Sequence, residues 1–398
     1  MPAFKLCPAT QIISARFVDR PNQFLVRCRR EDDGKLIRAF LPNPGRMLEL
    51  LLPGALLSIQ HQPRQGSGHR PRRQTSYTVL AVERDGAPIV LHTQHANALA
   101  RHLIDSGGIP ALSDARVLRS EVTVGRSRFD FLLRHQDVDL MLEVKSTTLF
   151  GNGVAMFPDA VTERGRKHLT ELMALRQSGM DAAVLFVVHA PDARWFMPDF
   201  HTDQAFSQTV IAAHDRGVRI LPAAIEWTRD LSLAKPVRML EIPWSYVRRE
   251  AAEDRGGYLL IMRLRRDRRL SIGALGTRLF PRGYYLYVGS AMANLSSRLA
   301  RHRRLRKRYH WHVDYLRAAA SEVIALPVRS STRIECDLAR ALEPISMSPC
   351  SGFGSSDCSC PTHLFAMPGN PLHDMGFHLV LQSFRMRHPD AISTEALP

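Results

Sequence analysis

The chain holds only six cysteines in 398 residues, too few for a disulfide framework, and no apolar run approaching the roughly 18 residues a membrane helix needs. Its longest apolar run, AAVLFVV at 182–188, has the length of a core strand. The N-terminal MPAFKLCPATQ lacks the apolar stretch of a secretory leader. Together these absences predict a protein of the reducing cytoplasm, with no membrane as partner. Acid is scarce as well: 38 Asp and Glu face 54 Lys and Arg, a net charge of +16. The deficit is local, because residues 255–320 hold sixteen Lys and Arg against Asp267 and Asp314 alone. A compact basic block predicts an anionic polymer as partner, and nucleic acid is the usual one. What is present otherwise, 45% hydrophobic and 23% charged residues, is the composition of an ordinary globular chain of two or three domains.

Patterning divides the chain at 1–95, 96–235, 236–255 and 256–385, with 386–398 as a tail. In the first part short apolar strands (QFLVRCR, KLIRAFL, ALLSIQH, SYTVLAVE, PIVLHT) alternate with turns, as in a small barrel. A basic loop, PRQGSGHRPRRQ, either offers Arg72 and Arg73 to phosphate or is an ordinary solvated β-loop. Residues 96–235 read as helix, three strands (VLRSEVTVG, SRFDFLL, LMLEVKS), then helix, strand, helix, strand, an α/β arrangement on a central sheet. Residues 236–255 read as a linker. The last part has strands GYLLIMRL, LSIGALG and GYYLYVGS followed by helices over NLSSRLARHRRL, HWHVDYLRAAA and RIECDLARAL. The whole is an α+β/α/β multidomain chain.

In MLEVKS, strand periodicity puts Glu143 and Lys145 on one face and Leu142 and Val144 on the other. A hairpin turning at Gln136–Asp137 would set Asp130 of RFDFLL opposite Glu143. Two carboxylates that close repel, and a divalent cation between them is one remedy. Lys145 would then stand beside the cation and stabilise a phosphorane. A salt-bridged surface strand is the plainer alternative.

The runs SEVTVGRSRFDFLL, LEVKSTTL and MFPDAVTERGRKHLTEL, with LPNPGRMLELLLPG at 41–54, resemble the sugar fermentation stimulation protein family over residues 10–235. The resemblance implies an OB-like barrel before a PD-(D/E)XK restriction-endonuclease-like domain, and DNA binding. It places Asp130, Glu143 and Lys145 in a Mg²⁺ or Mn²⁺ site, with Glu121 as a further carboxylate. Asn43, Gly45 and Arg46 of the NPGRM turn enter through this resemblance, Gly45 as a candidate for positive φ and Arg46 as a DNA contact. Arg164, Lys167 and His168 recur at i, i+3 and i+4, hence on one helix face, as either DNA contacts or a solvated face.

In the last part, Tyr258, Tyr287, Arg298, His302 and Glu335 suit one-metal phosphodiester hydrolysis. Glu335 would hold Mg²⁺ or Mn²⁺, a tyrosinate lowered in pKa by basic surroundings, or a tyrosine relaying to a base, would activate water, and Arg298 would balance charge. IGALG, YYLYVGSA, RHRR…KRYHWHVDYL and GFGSSDC resemble the GIY-YIG nuclease superfamily, and more closely a stand-alone GIY-YIG-like branch of unknown function, over about 256–370. The resemblance leaves the last ligand of the site to Asp357 or His363. Arg301, Arg303, Arg304, Arg306, Lys307 and Arg308 are expected against DNA. His310 and His312 read as DNA-facing or packing residues. Cys358, Cys360 and His363, with Cys350 as a fourth, invite zinc, but C-x-C is not the usual spacing, and no zinc is expected. The expectation is a metal-dependent endonuclease acting on duplex DNA. A non-catalytic DNA-binding regulator and an RNA-processing enzyme are the alternatives.

Overall fold

The computed structural model describes residues 4–62, 75–125, 127–234, 236–347 and 351–388. Arg72, Arg73 and Cys350 lie outside the described residues. The chain divides into two compact units, Met1–Asp199 with Ala205–Pro243, and Phe200–Gln204 with Trp244–Pro398.

In the first unit β1 (Ile12–Asn22), β2 (Leu25–Arg30), β3 (Leu36–Phe40), β4 (Leu56–His61) and β5 (Tyr77–Arg84) run in the order β3-β2-β1-β4-β5. β3 closes parallel onto β5, making a five-stranded OB-like barrel that β6 (Ala87–Val90) extends. Strand alternation builds it: Val26 and Cys28 point into the core while Arg27 and Arg29 point out. β1 was not among the expected strands; Ala15 and Phe17 are buried between the exposed Ser14, Arg16 and Val18, and the strand runs on through Pro21.

The same unit continues with α1 (His95–Asp105), β7 (Arg116–Val124), β8 (Ser127–His135), β9 (Val138–Thr147), β10 (Leu149–Gly151), β11 (Val154–Phe157), α2 (Glu163–Gln177), β12 (Asp181–Val188), β13 (Trp195–Pro198), α3 (Gln204–Asp215), β14 (Arg219–Ala224) and β15 (Arg238–Met239). The main sheet is ordered β15-β14-β12-β9-β8-β7, with β9, β12 and β14 parallel. The apolar run of β12 is buried on both faces, as a central parallel strand requires. The β8–β9 hairpin turns at Gln136 and Asp137, both at positive φ (51° and 60°), the backbone of a two-residue hairpin loop.

The second unit holds α4 (Trp244–Ala251), β16 (Gly256–Leu264), β17 (Arg268–Ser271), β18 (Thr277–Phe280), β19 (Gly283–Ala291), α5 (Leu295–Arg303), α6 (His312–Ala319), β20 (Glu322–Arg329), α7 (Glu335–Leu342), β21 (Leu364–Met367) and α8 (Met375–Arg385). Its antiparallel sheet is ordered β20-β16-β19-β21. Along β16, Tyr258, Leu260 and Met262 pack with α5 and α6, whereas Leu259 and Ile261 pack with α7 and α8. The sheet is therefore covered on both faces.

The linker expected over 236–255 is not one. β15 joins the first unit's sheet, and α4 is part of the second unit, where the buried Glu250 accepts from Ser331 N and Oγ. Its prolines, Pro236 and Pro243, fall just before the edge strand and the helix, while Arg238, Arg248, Arg249 and Glu250 lie within them.

Candidate functional site

The last ladder pair between β8 and β9 is Phe131 opposite Leu142. One step on, the Asp130 side chain replaces the ladder: its Oδ2 accepts from Val144 N at 2.7 Å and its Oδ1 from Asn97 Nδ2 of α1 at 2.6 Å. Burial and the neighbouring Glu143 charge push the Asp130 pKa up. Glu143 is itself only 3% exposed. Its Oε1 takes both the Lys145 ammonium and His168 Nδ1, the latter at 2.5 Å, while Oε2 is buried without a hydrogen-bond partner. Burial opposes the Glu143 charge, but the His168 hydrogen bond and Lys145 outweigh it and hold the pKa below the ordinary value.

The structure thus brings Asp130, Glu143 and Lys145 together and adds His168, which was expected to face DNA. His168 is buried because it sits on the side of α2 that packs toward β8, with its ring against Phe129. Arg164 and Lys167 on the same helix stay exposed, Lys167 3.8 Å from Glu171. Glu121 is not drawn in: its carboxylate pairs with Arg128 at 2.7 Å on the exposed side of β7. Arg46 is not a free arm either, since its Nε donates to Asp159 O at 2.7 Å. Gly45 needs no positive φ. It is required for space, because a Cβ there would lie 3.0 Å from both Asn43 Oδ1 and Asp159 Oδ2; the left-handed residue of the turn is Met47, at φ 47°.

In the second unit, Tyr258, Tyr287, Arg298 and Glu335 line one cleft of about 280 Å³, together with Ser290, His310 and Asp357. Sheet register explains the convergence: Tyr258 of β16 lies opposite Gly289 of β19, where any Cβ would collide with the Tyr258 ring. Gly354 makes the same room for Tyr287. His302 lies just behind the cleft, 1% exposed, its Nε2 2.9 Å from Tyr258 Oη. Ser290 Oγ donates to Glu335 Oε2 at 2.5 Å, and His363 Nδ1 lies 3.2 Å from Oε1.

Of the two roles expected for a tyrosine, the tyrosinate is disfavoured. Burial raises the pKa of both Tyr258 and Tyr287 despite Arg298, so neither phenol is ionised near neutral pH. Burial likewise lowers His302 to about 3, leaving a neutral imidazole.

The basic block also divides. Asp314 is fully buried and held far below the carboxylate range by Arg301 and Lys307, against the cost of its burial. These two cations are spent inside the fold, with Arg301 also 4.2 Å above the Trp311 ring. Arg303, Arg304, Arg306 and Arg308 remain exposed. A second cleft of about 420 Å³ is lined by Arg301, Arg304, Arg306, Lys307, Arg308 and His310. His310 thus borders both cavities, a role the sequence reading left open between DNA and packing.

Near the far end of Glu335, Cys336, Cys358, Cys360 and His363 gather with their ligand atoms within 4.8 Å of one another. The fourth group is Cys336 of α7, where the sequence had offered Cys350.

Comparison with known proteins gives three family matches: the SfsA N-terminal OB domain over residues 18–91, the sugar fermentation stimulation protein RE domain over 94–230, and the domain of unknown function DUF123 over 257–382. A sugar fermentation stimulation protein homolog of Moorella thermoacetica is 40% identical over 210 residues, 52% of this chain and 88% of the relative. One from Methanothermobacter thermautotrophicus is 34% identical over 229 residues, 57% of this chain and 92% of the relative. The structure of Pyrococcus furiosus SfsA in complex with Ca²⁺ matches with TM-score 0.53 and 25% identity, covering 60% of this chain and 99% of that one.

Proposed function

The chain belongs to the sugar fermentation stimulation protein family, and from that premise we propose that it binds nucleic acid, duplex DNA first, and hydrolyses phosphodiester bonds with a divalent cation. One observation carries the reading. The GIY-YIG-like quartet Tyr258, Tyr287, Arg298 and Glu335 shares a cleft, and that cleft meets an almost wholly cationic one at His310. A polyanion held by the second cavity lies against the first.

Two donor sets fit a hard cation. Asp130 and Glu143 offer carboxylate oxygens, of which the orphaned Glu143 Oε2 is a buried acceptor in want of a partner. Glu335 offers the second set. The Ca²⁺ in the Pyrococcus furiosus relative supports a divalent ion for the first. A bound Mg²⁺ or Mn²⁺ supplies a polarised phosphoryl oxygen and a more acidic water. The chain's own residues do the rest. Lys145 and Arg298 counter the charge that builds on phosphate. Tyr258 Oη donates to the neutral His302 Nε2 at 2.9 Å and accepts from the attacking water, which it orients, and the water's proton leaves to bulk solvent as the bond to phosphorus forms.

The test is plasmid nicking with Mn²⁺ or Mg²⁺, run beside Lys145→Ala and Glu335→Ala. Cation-dependent nicking that falls about 100-fold or more in one variant assigns the working unit. Salt-sensitive binding with no cleavage of duplex, single-stranded or branched DNA leaves a non-catalytic regulator instead.

A further inference from the structure

We infer that Cys336, Cys358, Cys360 and His363 bind one zinc ion in a tetrahedral site that ties the loop 351–363 to the start of α7. The thiols and the imidazole come from two segments far apart in sequence, yet their ligand atoms all lie within 4.8 Å of one another. Zinc bonds of about 2.3 Å to sulfur and 2.0–2.1 Å to nitrogen put neighbouring S and N about 3.6 Å apart at a tetrahedral angle. Cys358 Sγ and His363 Nε2 are 3.5 Å apart.

The backbone holds these groups in place. Gly352 N donates to Pro361 O and His363 N to Phe353 O, so the two arms of the loop are paired, and Phe353 anchors it in the core. Three thiols with one imidazole is a soft donor set that selects zinc over the hard cations of the carboxylate sites. A disulfide would use two of the three thiols and leave the third, and the imidazole, unexplained.

The outer contact points the same way. His363 is 1% exposed; while Nε2 faces the thiols, Nδ1 lies 3.2 Å from Glu335 Oε1. Zinc ligands of this type turn their second nitrogen to a carboxylate, which fixes the tautomer and the ring. Here that carboxylate lines the cleft, one residue before the ligand Cys336. Zinc at this site therefore orients Glu335, a step that rests on the reading of the cleft as catalytic, whereas the zinc site itself does not.

The experiment is elemental analysis of the full chain purified under reducing conditions without added metal, followed by Co²⁺ replacement. About one zinc per chain is expected, falling more than tenfold in Cys336→Ser and in Cys358→Ser but not in Cys7→Ala, whose thiol lies in the first unit. If the serine variants fail to fold, the wild type decides: a chelated chain refilled with Co²⁺ should show intense thiolate-to-metal absorption of a tetrahedral site. Six free thiols with neither zinc nor that absorption would overturn the proposal. So would the loss of two thiols to a disulfide, or zinc retained by both well-folded serine variants. A chain that holds zinc but cleaves no nucleic acid keeps this site and removes the catalytic reading of the cleft.

Discussion

At the scale of single residues, the two carboxylate sites differ in what keeps them charged. Glu143 stays ionised because His168 and Lys145 overcome its burial. Removing the imidazole in His168→Ala leaves burial less opposed, so the Glu143 pKa rises. Only the carboxylate binds a cation, so the acid limb of Mn²⁺-dependent cleavage moves to higher pH. One unit of movement is about a tenfold loss on that limb, with little change at alkaline pH. The pH dependence of kcat/KM in a Glu335→Ala background reads this at the Glu143 site alone, and an unmoved limb would sink the role given to His168. Tyr258 poses the opposite case, a neutral phenol against a neutral imidazole. Tyr258→Phe strands His302 Nε2 in a buried position, at about 1–3 kcal/mol of stability by thermal melting. It also lowers cleavage by about 100-fold if the phenol orients the attacking water. Because the phenol's pKa is raised, the wild-type rate should show no tyrosine ionisation on approach to pH 10.

At the scale of elements, the NPGRM turn is a place where charge is buried for structure. Burial, with the Asp159 charge behind it, raises Glu49 to about 8, and its Oε1 has no hydrogen-bond partner. A carboxyl whose folded pKa lies above its unfolded one stabilises the fold when protonated. That contribution is whole below the unfolded value and is lost as pH rises through about 8. Glu49→Gln should therefore gain a few degrees in Tm at pH 9 and nothing near pH 4, as melts across that range would show. Legibility in the sequence followed the same elements. The β8–β9 register was readable from Asp130 and Glu143, because a two-residue turn fixes every pair. β20 was not expected, since Pro327 argues against a strand; it is an edge strand, where proline is tolerated. His168 and Cys336 could not be placed because each acts through a partner on another element. Spacing within one helix reports a face, not what that face packs against.

At the scale of the molecule, a charge of +16 favours a polyanionic partner but does not say which cations would touch it. Within 255–320 the structure separates them by partner. Arg301 and Lys307 are bound to the buried Asp314, so truncating either leaves that carboxylate under-compensated and should lower Tm. Arg304, Arg306 and Arg308 line the basic cleft on exposed positions. Their combined replacement by Ala should leave the melt unchanged and weaken binding of any duplex sequence alike. Each phosphate contact contributes about 0.9 to the slope of log K against log salt, so the slope should become shallower by about 2–3. Fluorescence anisotropy of a duplex across a salt series measures it. If the slope is unaltered, the polyanion is gripped elsewhere on the chain, and the cleft at His310 loses its claim to deliver phosphate to Glu335.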